Sequence, residues 1–241
     1  MNQQRQRKVR SFVQRSGRLS TTQQTALEEL SPLYDLSRPG DQKLDVKRAF
    51  PRQQPVIVEI GFGKGEVTVE LAETFPAFNF LGIEVHKPGV GNVLHEIHTR
   101  PLDNLRVYSG DAVEVLESSI LPRSIRGFHI FFPDPWPKKK HHKRRLIQPR
   151  IARLLSRALE PGGYVYAVTD WQEYAEQILE VLGAAKGLVN PYDGFAPPVE
   201  WRPETSFERK GMEQENPIWE IWCKKGESLA GETREQGVDQ N

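Results

Sequence analysis

The sequence has a single cysteine, no long apolar run and no apolar segment near its N-terminus. Cys223 is the one thiol among 241 residues, which excludes an internal disulfide and a cysteine-based metal cluster and indicates a reducing compartment. No apolar run approaches the roughly 18 residues that a membrane-spanning helix needs. Because the N-terminus also lacks the apolar region of a secretory signal, we expect a cytoplasmic protein that does not associate with a membrane.

Acidic residues are missing from the first 20 positions, although the whole chain is nearly neutral, at +1. A second basic island, residues 138–145, contains only Lys, Arg and His. Two such islands in a neutral chain indicate a local anionic partner. For residues 1–34 we therefore predict a basic, flexible arm that touches nucleic acid, with an arginine-rich transit peptide as the alternative.

The middle of the chain alternates between strand-like and helix-like segments. Runs such as VIVEI and NFLGIEV each precede a segment whose apolar residues recur three to four positions apart. One of the predicted helices spans LIQPRIARLLSRALEPGG. This alternation predicts parallel βαβ units, and hence an α/β fold with a doubly wound sheet, over residues 35–225.

The pattern changes towards the C-terminus. The strand-like run NPIWEIWCKK has no helix after it, so we predict an antiparallel edge strand. Residues 226–241 are polar and contain glycine, which predicts a disordered tail. The sequence contains no internal repeat, and both a monomer and a homodimer are compatible with it.

Ligands of doubly wound sheets bind at the carboxyl ends of the strands, and polar residues of this sequence collect there. Gly61, Gly63 and Gly65 follow the first strand and let a ligand approach the backbone closely. Glu66 occupies the third glycine position of a dinucleotide fingerprint and would repel a pyrophosphate, which disfavours a phosphate-bearing cofactor. The acids at the strand ends are Glu59, Glu84, Asp111, Asp134 and Asp170.

Three of these acids could contact a ligand at the strand ends. Glu59 lies inside an apolar strand, where an uncompensated carboxylate is costly, and it would attract a positive ligand. Glu84 follows the glycines at a distance typical of an acid that accepts ribose hydroxyls. Asp111 can receive an exocyclic amine, cap the following helix, or do both. The alternative interpretation is an ordinary glycine turn with solvated acids.

Asp134 lies between two prolines in the stretch FFPDPWPKKKHHKRR. Pro133 and Pro135 restrict their own φ angles and those of their neighbours, so the carboxylate is held on a stiff backbone. The basic island begins four residues later, where it can bind the phosphates of a polyanion beside Asp134. A solvated proline turn followed by a solvated charge run is the alternative.

Five segments in order resemble one family over roughly residues 35 to 224: VEIGFGKGE, FLGIEVHKPGV, FFPDPWPKKKHHKRR, VTDW and TSFERKG. They resemble the bacterial tRNA (guanine-N7-)-methyltransferases, which are class I S-adenosylmethionine-dependent methyltransferases. The resemblance implies a Rossmann-like, mostly parallel seven-stranded sheet with an antiparallel edge strand. It also implies S-adenosyl-L-methionine as cofactor, tRNA as partner and a guanosine of the variable loop as substrate.

The resemblance also assigns roles to residues. It implies Asp134 as the catalytic residue. The implied cofactor-binding residues are Glu59, Gly61, Gly63, Gly65, Glu84, Asp111 and Asp134. The implied substrate-binding residues are Lys138, Asp170, Thr205, Ser206, Phe207 and Glu208, although Ser206 replaces the arginine expected there. The implied RNA-binding residues are Lys140, His141, His142, Lys143, Arg144 and Arg145.

The chemistry of guanine N7 agrees with these roles. N7 has an in-plane lone pair and needs no deprotonation, so a carboxylate helps by stabilising the positive charge that develops on the ring. Asp170 or Glu208 can accept the two adjacent donors of the Watson–Crick edge. Trp136, Trp171, Trp201 and Phe207 are candidates for stacking on a base.

Two other functions remain open on the residues alone. The first is a methyltransferase acting on an exocyclic amine of another RNA or on a protein, because such enzymes use a related proline turn at this strand end. The second is a non-catalytic RNA-binding protein on the same fold, although all cofactor acids are present. We expect no metal site, since the adjacent side chains of His141 and His142 point in different directions on regular backbone.

Overall fold

The computed structural model describes residues 11–12, 17–37, 44–100, 102–205, 208–209 and 217–226. Seven strands in these residues form one sheet: β1 (Val56–Ile60), β2 (Asn79–Glu84), β3 (Leu105–Ser109), β4 (Ile125–Phe131), β5 (Leu159–Thr169), β6 (Leu188–Val189) and β7 (Trp219–Lys225). Their order is β3-β2-β1-β4-β5-β7-β6. The first five strands pair in parallel, and β7 is antiparallel to both β5 and β6. The doubly wound sheet and an antiparallel strand are therefore confirmed, but β6 rather than the predicted β7 occupies that edge of the sheet.

Two helices precede the first strand, and the later helices alternate with the parallel strands. They are α1 (Thr21–Glu29), α2 (Ser31–Tyr34), α3 (Glu66–Thr74), α4 (Lys87–Thr99), α5 (Ala112–Ser118), α6 (Pro149–Ala158) and α7 (Gln172–Gly183). Two 3₁₀ helices, η1 (Val46–Ala49) and η2 (Lys139–Arg144), lie before β1 and after β4. Most of the basic island after Asp134 therefore forms η2.

Two apolar layers cover the sheet. On one face Val58 and Ile130 pack with α5, α6 and α7, and on the other Ile57 packs with α1, α3 and α4. Strands β1 and β2 are buried along their whole length because both faces are covered. This double burial explains why their sequences are nearly continuous apolar runs instead of an alternating pattern.

Helix α6 is shorter than its sequence pattern predicts. It ends at Ala158, and Leu159 already pairs with Ile125 as the first residue of β5. Pro161 lacks a backbone N–H and cannot continue a helix, and Gly162 has a φ of 73°. The stretch LEPGG therefore belongs to the strand. The two-residue strand β6 was not predicted, because it is too short to produce a pattern.

The N-terminal segment contains more structure than the predicted flexible arm. Ser20 caps α1 by accepting a hydrogen bond from the backbone N–H of Gln23 (3.2 Å), and the Gln23 side chain bonds back to the Ser20 N–H (2.9 Å). The Gln23 amide also donates to Asn92 of α4 (2.9 Å). Residues 20–34 are thus packed against the domain. The predicted tail lies almost entirely outside the described residues.

Candidate active site

The three glycines form the connection between β1 and α3. Gly61, Gly63 and Gly65 have φ values of 79°, 60° and 83°, a region that side chains disfavour. A Cβ atom at Gly65 would lie 2.0 Å from Cγ2 of Val93 on α4, whereas Gly61 and Gly63 face open space. Gly65 is therefore required for packing, and the other two leave room for a ligand against the backbone.

Glu84 holds this glycine loop in place. One carboxylate oxygen accepts the N–H of Gly63 (2.8 Å), and the other accepts those of Val85 (2.6 Å) and His86 (2.8 Å). The side chain is 8% exposed. An ionised carboxylate offers about four acceptor positions, so these three bonds leave one position beside the loop. The acid predicted to accept ribose hydroxyls thus also fixes the shape of the loop.

Glu59 lies beneath the loop on the face of β1 that α3 covers. Its carboxylate is 4% exposed and accepts a hydrogen bond from the hydroxyl of Thr68 (2.7 Å). Burial raises the pKa of Glu59 to about 7, although the bond from Thr68 works in the opposite direction. Among the described residues no cationic side chain pairs with it, and a buried carboxylate of this kind at the edge of a cavity suits a positively charged ligand.

A cavity of about 180 Å³ connects the glycine loop with the end of β4. Glu59, the three glycines, Phe131, Phe132 and Thr205 line it. A second cavity of about 510 Å³ lies at the ends of β2 and β3, where Val85, Ser109, Gly110 and Asp111 contribute to its wall. Asp111 also caps α5 by accepting the N–H of Val113 (2.9 Å). The two cavities cover the region where the sequence predicts cofactor binding.

The turn around Asp134 is strained. Phe132 and Trp136, on either side of the Pro133–Pro135 stretch, have φ values of 48° and 45°. Each non-glycine residue in this region costs about 1–3 kcal/mol and persists only where its surroundings enforce it. The N–H of Phe132 donates to Val168 (2.8 Å), which ties the turn to β5. Asp134 itself is exposed at the carboxyl end of β4.

The basic residues after Asp134 fall into two groups. Lys138, Lys139, Lys140 and Lys143 are exposed, and His141 and His142 are half-buried. Partial desolvation and the neighbouring cations lower the pKa of His141. The guanidinium of Arg144 lies 3.8 Å from the centre of the Trp136 ring and is half-buried. The exposed lysines present a positive surface directly after the strained turn.

Arg145 differs from the rest of this group because it is 2% exposed. Its guanidinium donates to the carbonyl of Pro135 (2.7 Å) and to the side chain of Gln177 (2.6 Å). A buried guanidinium with these partners cannot reach a phosphate on the surface. The structure therefore places Arg145 inside the protein, apart from the exposed cations of the predicted RNA-binding segment.

The segment that follows Trp201 contains a buried ionic network. Arg202 pairs with both carboxylate oxygens of Glu208 (2.6 and 2.8 Å) and with Glu220 of β7 (3.3 Å). Tyr166 of β5 donates to Glu220 (2.5 Å) and accepts from Arg202 (3.1 Å). Burial alone would lower the pKa of the Arg202 guanidinium, but the hydrogen bonds and charges of these partners raise it.

This network engages the carboxylate of Glu208. The predicted reader of guanine is 5% exposed and fully engaged with Arg202, so its carboxylate holds the loop against the sheet. Glu208 also exchanges hydrogen bonds with Thr205, which brings Thr205 to the wall of the glycine-loop cavity. Ser206 and Phe207, predicted to contact substrate, lie outside the described residues.

Asp170 remains as an accessible carboxylate at the end of β5. It lies beside Trp171, whose ring is 38% exposed, and both line a depression together with Glu173 and Trp219. Trp201, in contrast, packs on the buried ring of His129, with a centroid distance of 5.4 Å. Of the aromatic residues predicted as candidates for stacking on a base, Trp171 has an accessible ring, whereas Trp201 is half-buried and packs against buried aromatic rings.

Comparisons with known proteins agree with this geometry. A family model described as "Putative methyltransferase" matches residues 53–221. The tRNA (guanine-N(7)-)-methyltransferase of Paraburkholderia xenovorans (strain LB400) is 50% identical over 219 residues, which cover 91% of this chain and 84% of that protein. The protein of the same description from Alkalilimnicola ehrlichii is 50% identical over 224 residues, which cover 92% and 94%. The chain belongs to the tRNA (guanine-N(7)-)-methyltransferase family.

Solved structures confirm the fold of this tRNA (guanine-N(7)-)-methyltransferase family member. The aminoglycoside resistance methyltransferase NpmB1 aligns with a TM-score of 0.53 at 16% identity, over 71% of this chain and 87% of NpmB1. The 16S rRNA methyltransferase KamB gives 0.53 at 14% identity, over 88% and 97%. At these identities the similarity shows the class I methyltransferase fold alone.

Two further features complete the description of this methyltransferase. In the part of the chain that the structure describes, no group of three or more His, Cys, Asp or Glu side chains could hold a metal ion. No helix over those residues is long and apolar enough to cross a membrane. The two adjacent histidines of η2 contact Trp136 and Glu173 instead.

Sequence reasoning missed Arg202, Tyr166 and Glu220. The motif TSFERKG drew attention to Glu208, but nothing in the sequence indicated its partners, which come from β5, β7 and the loop before it. The alternation in β7 offers one signal, because Glu220 lies between apolar residues in a strand. Such a buried acid requires a partner, as Glu59 does.

The pKa of Glu59 predicts pH-dependent cofactor binding. Below about pH 7 the unliganded site holds a neutral Glu59, whereas a cationic ligand favours the carboxylate. We therefore expect the affinity for S-adenosylmethionine to rise as the pH increases through about 7, with release of up to one proton. Calorimetry in two buffers of different ionisation enthalpy measures this proton directly.

A Glu59→Gln variant is the control for this prediction, because it has the same shape without a titrating group. It should bind the cofactor with little proton release at pH 6.5. Equal proton release by both proteins would contradict the assignment.

The stability of the unliganded protein should depend on pH in the opposite direction to its affinity for the cofactor. Between the unfolded pKa of 4.5 and the folded value of about 7, the folded protein holds the extra proton, so its stability falls as the pH rises.

Proposed function

We propose that this protein transfers the methyl group of S-adenosylmethionine to N7 of a guanosine in tRNA, and that the guanosine lies in the variable loop. One observation carries the proposal. Asp134 is exposed on a strained turn two residues from the wall of the glycine-loop cavity, and exposed lysines follow it directly. The relatives at 50% identity, which are named for this reaction, support it. We also propose that the enzyme acts in the cytoplasm.

The cofactor fits the residues at the ends of the first three strands. The buried carboxylate of Glu59 would face its cationic methionine portion, and Glu84 has an acceptor position left for the ribose. Asp111, in the wall of the neighbouring cavity, would receive the adenine amine. When bound, S-adenosylmethionine supplies an activated methyl group on a sulfonium. The open space over Gly61 and Gly63 lets it lie against the backbone.

Asp134 acts as an electrostatic partner of the reacting base. N7 attacks with a lone pair that is already free, so no proton must leave first. Positive charge develops on the guanine ring, and a carboxylate held in place by Pro133 and Pro135 stabilises it without reorganisation. The Asp134 side chain is exposed, so a base that enters from solvent could contact it.

The guanine is recognised next to Asp134. Asp170 can accept hydrogen bonds from N1–H and the exocyclic amine, and Trp171 offers a ring face for stacking. Thr205, on the other side, lines the cofactor cavity, and Lys138 begins the basic segment. In the proposed site, Asp170 therefore contacts the Watson–Crick edge of the base and Trp171 contacts its ring face. Asp134 lies near the positive charge that develops on the ring.

The substrate test uses tRNA without modifications, S-adenosylmethionine and the purified protein. Nucleosides from the digested product are separated by chromatography and identified by mass spectrometry. We expect 7-methylguanosine, and cleavage of the strand at the methylated position should place it in the variable loop. A product such as N2-methylguanosine or N6-methyladenosine would support the exocyclic-amine reaction, and the absence of any methylated product would support an RNA-binding protein.

The exposed lysines predict a salt-dependent interaction with tRNA. Lys139, Lys140 and Lys143 extend into solvent, where phosphates can reach them. Each phosphate that a variant no longer binds should reduce the slope of log affinity against log salt by about 0.7–0.9. We expect the triple alanine variant to flatten the slope by roughly 2–3 units if all three lysines touch phosphate. Filter binding over a range of salt concentrations measures it.

The affinity for S-adenosylmethionine is the internal control, and it should not change in the triple variant. A second control replaces Lys47, Arg48 and Arg52, which lie before β1 and pair with Glu160, Asp45 and Asp103. This variant also removes three cations and should keep the slope of the wild type. Identical slopes in all three proteins would show that η2 does not bind the RNA backbone.

A further inference from the structure

Arg145 has contacts that no surface role explains. Its guanidinium is almost completely buried, and each of its three nitrogens has a neighbour. Nε donates to the carbonyl of Pro135 (2.7 Å), Nη1 to the side chain of Gln177 (2.6 Å) and Nη2 to the ring of His142 (3.2 Å). Glu173 supplies a negative charge at 3.7 Å from Nη2. The planar group is therefore held in one orientation.

The residue that Arg145 contacts follows Asp134 directly. A hydrogen bond to the Pro135 carbonyl fixes the orientation of the peptide that joins Pro135 to Trp136. Trp136 has a positive φ, at 45°, and such a conformation persists only when surrounding groups enforce it. A charged donor at 2.7 Å from that carbonyl is a suitable restraint. Arg145 thus acts on the backbone beside the carboxylate.

The other end of the guanidinium is anchored to a rigid element. Gln177 belongs to α7 and also donates to the carbonyl of Ile147 (3.2 Å). Tyr174, one turn earlier, lies under the guanidinium at 4.9 Å, and its hydroxyl accepts the N–H of Ile147 (3.1 Å). Because α7 packs on the sheet through buried apolar residues, these contacts connect the turn to the core.

We propose that Arg145 is a positioning residue that holds the Asp134 turn in its active geometry by linking the Pro135 carbonyl to helix α7. The proposal rests on the proposed function, since it assumes that Asp134 acts on the reacting base. It separates Arg145 from the exposed lysines of the same basic segment, which contact RNA. Arg145 touches neither substrate nor cofactor and acts through the backbone of the turn.

Geometry and charge can be separated with two variants. Arg145→Lys keeps the positive charge but lacks the planar fork, and Arg145→Met removes the charge and keeps the stem. A misplacement of about 1 Å at a reacting group costs up to about 100-fold in rate, so we expect kcat to fall by roughly tenfold to 100-fold in both. The Michaelis constant for tRNA and the slope of log affinity against log salt should stay at their wild-type values.

Two variants at neighbouring cations serve as controls. Lys143→Met removes a cation two residues away, and it should raise the Michaelis constant for tRNA and reduce the salt slope by about 0.7–0.9. The Arg145 variants should leave both of these quantities unchanged. Arg150→Met removes an exposed cation of α6 that pairs with Glu117, and it should change neither kcat nor the slope.

Gln177→Leu tests the link to α7 from its other end, because it keeps all cations and removes the acceptor of Nη1. We expect it to lower kcat in the same direction. The double variant with Arg145→Lys should fall no further than Arg145→Lys alone. Gln177→Leu also provides the test should Arg145→Met fail to fold.

All rates are measured well below each melting temperature and normalised to the sites that bind S-adenosylmethionine, so that unfolded protein is not counted. Wild-type kcat in Arg145→Lys, or a reduced salt slope in Arg145→Met with normal kcat, would overturn the proposal. If the wild type forms no 7-methylguanosine, the proposed function itself fails. If it does and Asp134→Ala is inactive while both Arg145 variants turn over normally, the positioning role alone fails.

Discussion

Replacing Asp134 by alanine is expected to lower kcat by at least about 100-fold, the scale for one preorganised electrostatic group. The carboxylate is held on a turn with two strained residues and three prolines, so it is preorganised and does not need to reorient during the reaction. The melting temperature should hardly change, because the side chain is exposed. Single-turnover rates on unmodified tRNA, with saturating cofactor, measure the loss.

Two controls accompany this variant. Asp134→Asn keeps the shape of the side chain and should be almost as slow, because the proposed mechanism depends on the negative charge. Asp193→Ala removes an exposed carboxylate from the loop after β6 and should be as fast as the wild type. Near-normal turnover of Asp134→Ala would show that the residue serves the turn alone.

Replacing Arg202 by methionine is expected to lower the free energy of unfolding by about 3–5 kcal/mol, the usual cost of breaking a buried ion pair. The carboxylates of Glu208 and Glu220, 5% and 3% exposed, would stay buried after the cation that pairs with them is removed. Methionine fills much of the volume, so the loss is electrostatic rather than due to a cavity. Urea unfolding at neutral pH measures it.

A comparison with an exposed ion pair identifies the cause of this loss. Arg209→Met is the matched control from the same segment. It breaks an exposed pair with Glu66 and should cost no more than about 1 kcal/mol. An equally small cost for Arg202→Met would contradict the network.

Much of the fold could be predicted from local patterns. The parallel strands are buried on both faces, so their apolar runs stand out from the helices between them, and the antiparallel β7 was predicted because no helix follows it. The patterns were least informative at boundaries. Helix α6 and strand β5 share one apolar stretch, and pairing of Leu159 with Ile125 decides where one ends and the other begins.

The cofactor side of the site was also accessible from the sequence. In a doubly wound sheet the carboxyl ends of parallel strands meet at one edge, so acids at those ends converge whatever the details of packing. Glu59, Glu84 and Asp111 accordingly lie around the two cavities or directly beside them. The glycine spacing disfavoured a pyrophosphate site, and the family segments indicated the methyltransferase family that the comparisons confirm.

The sequence by itself determined the fold class, the family and the edge of the sheet where the site lies, because these depend on periodicity and on residue types at strand ends. Only the tertiary structure separated Arg145 from Lys143 and Glu208 from Asp170. Residues of like charge look equivalent in a sequence, but their roles depend on burial and on partners from distant segments. The side chain of Gln177 in α7 accepts a hydrogen bond from the guanidinium of Arg145, and Arg202 forms an ion pair with the carboxylate of Glu208. Long-range packing therefore decided which charges are paired inside the protein and which face the solvent.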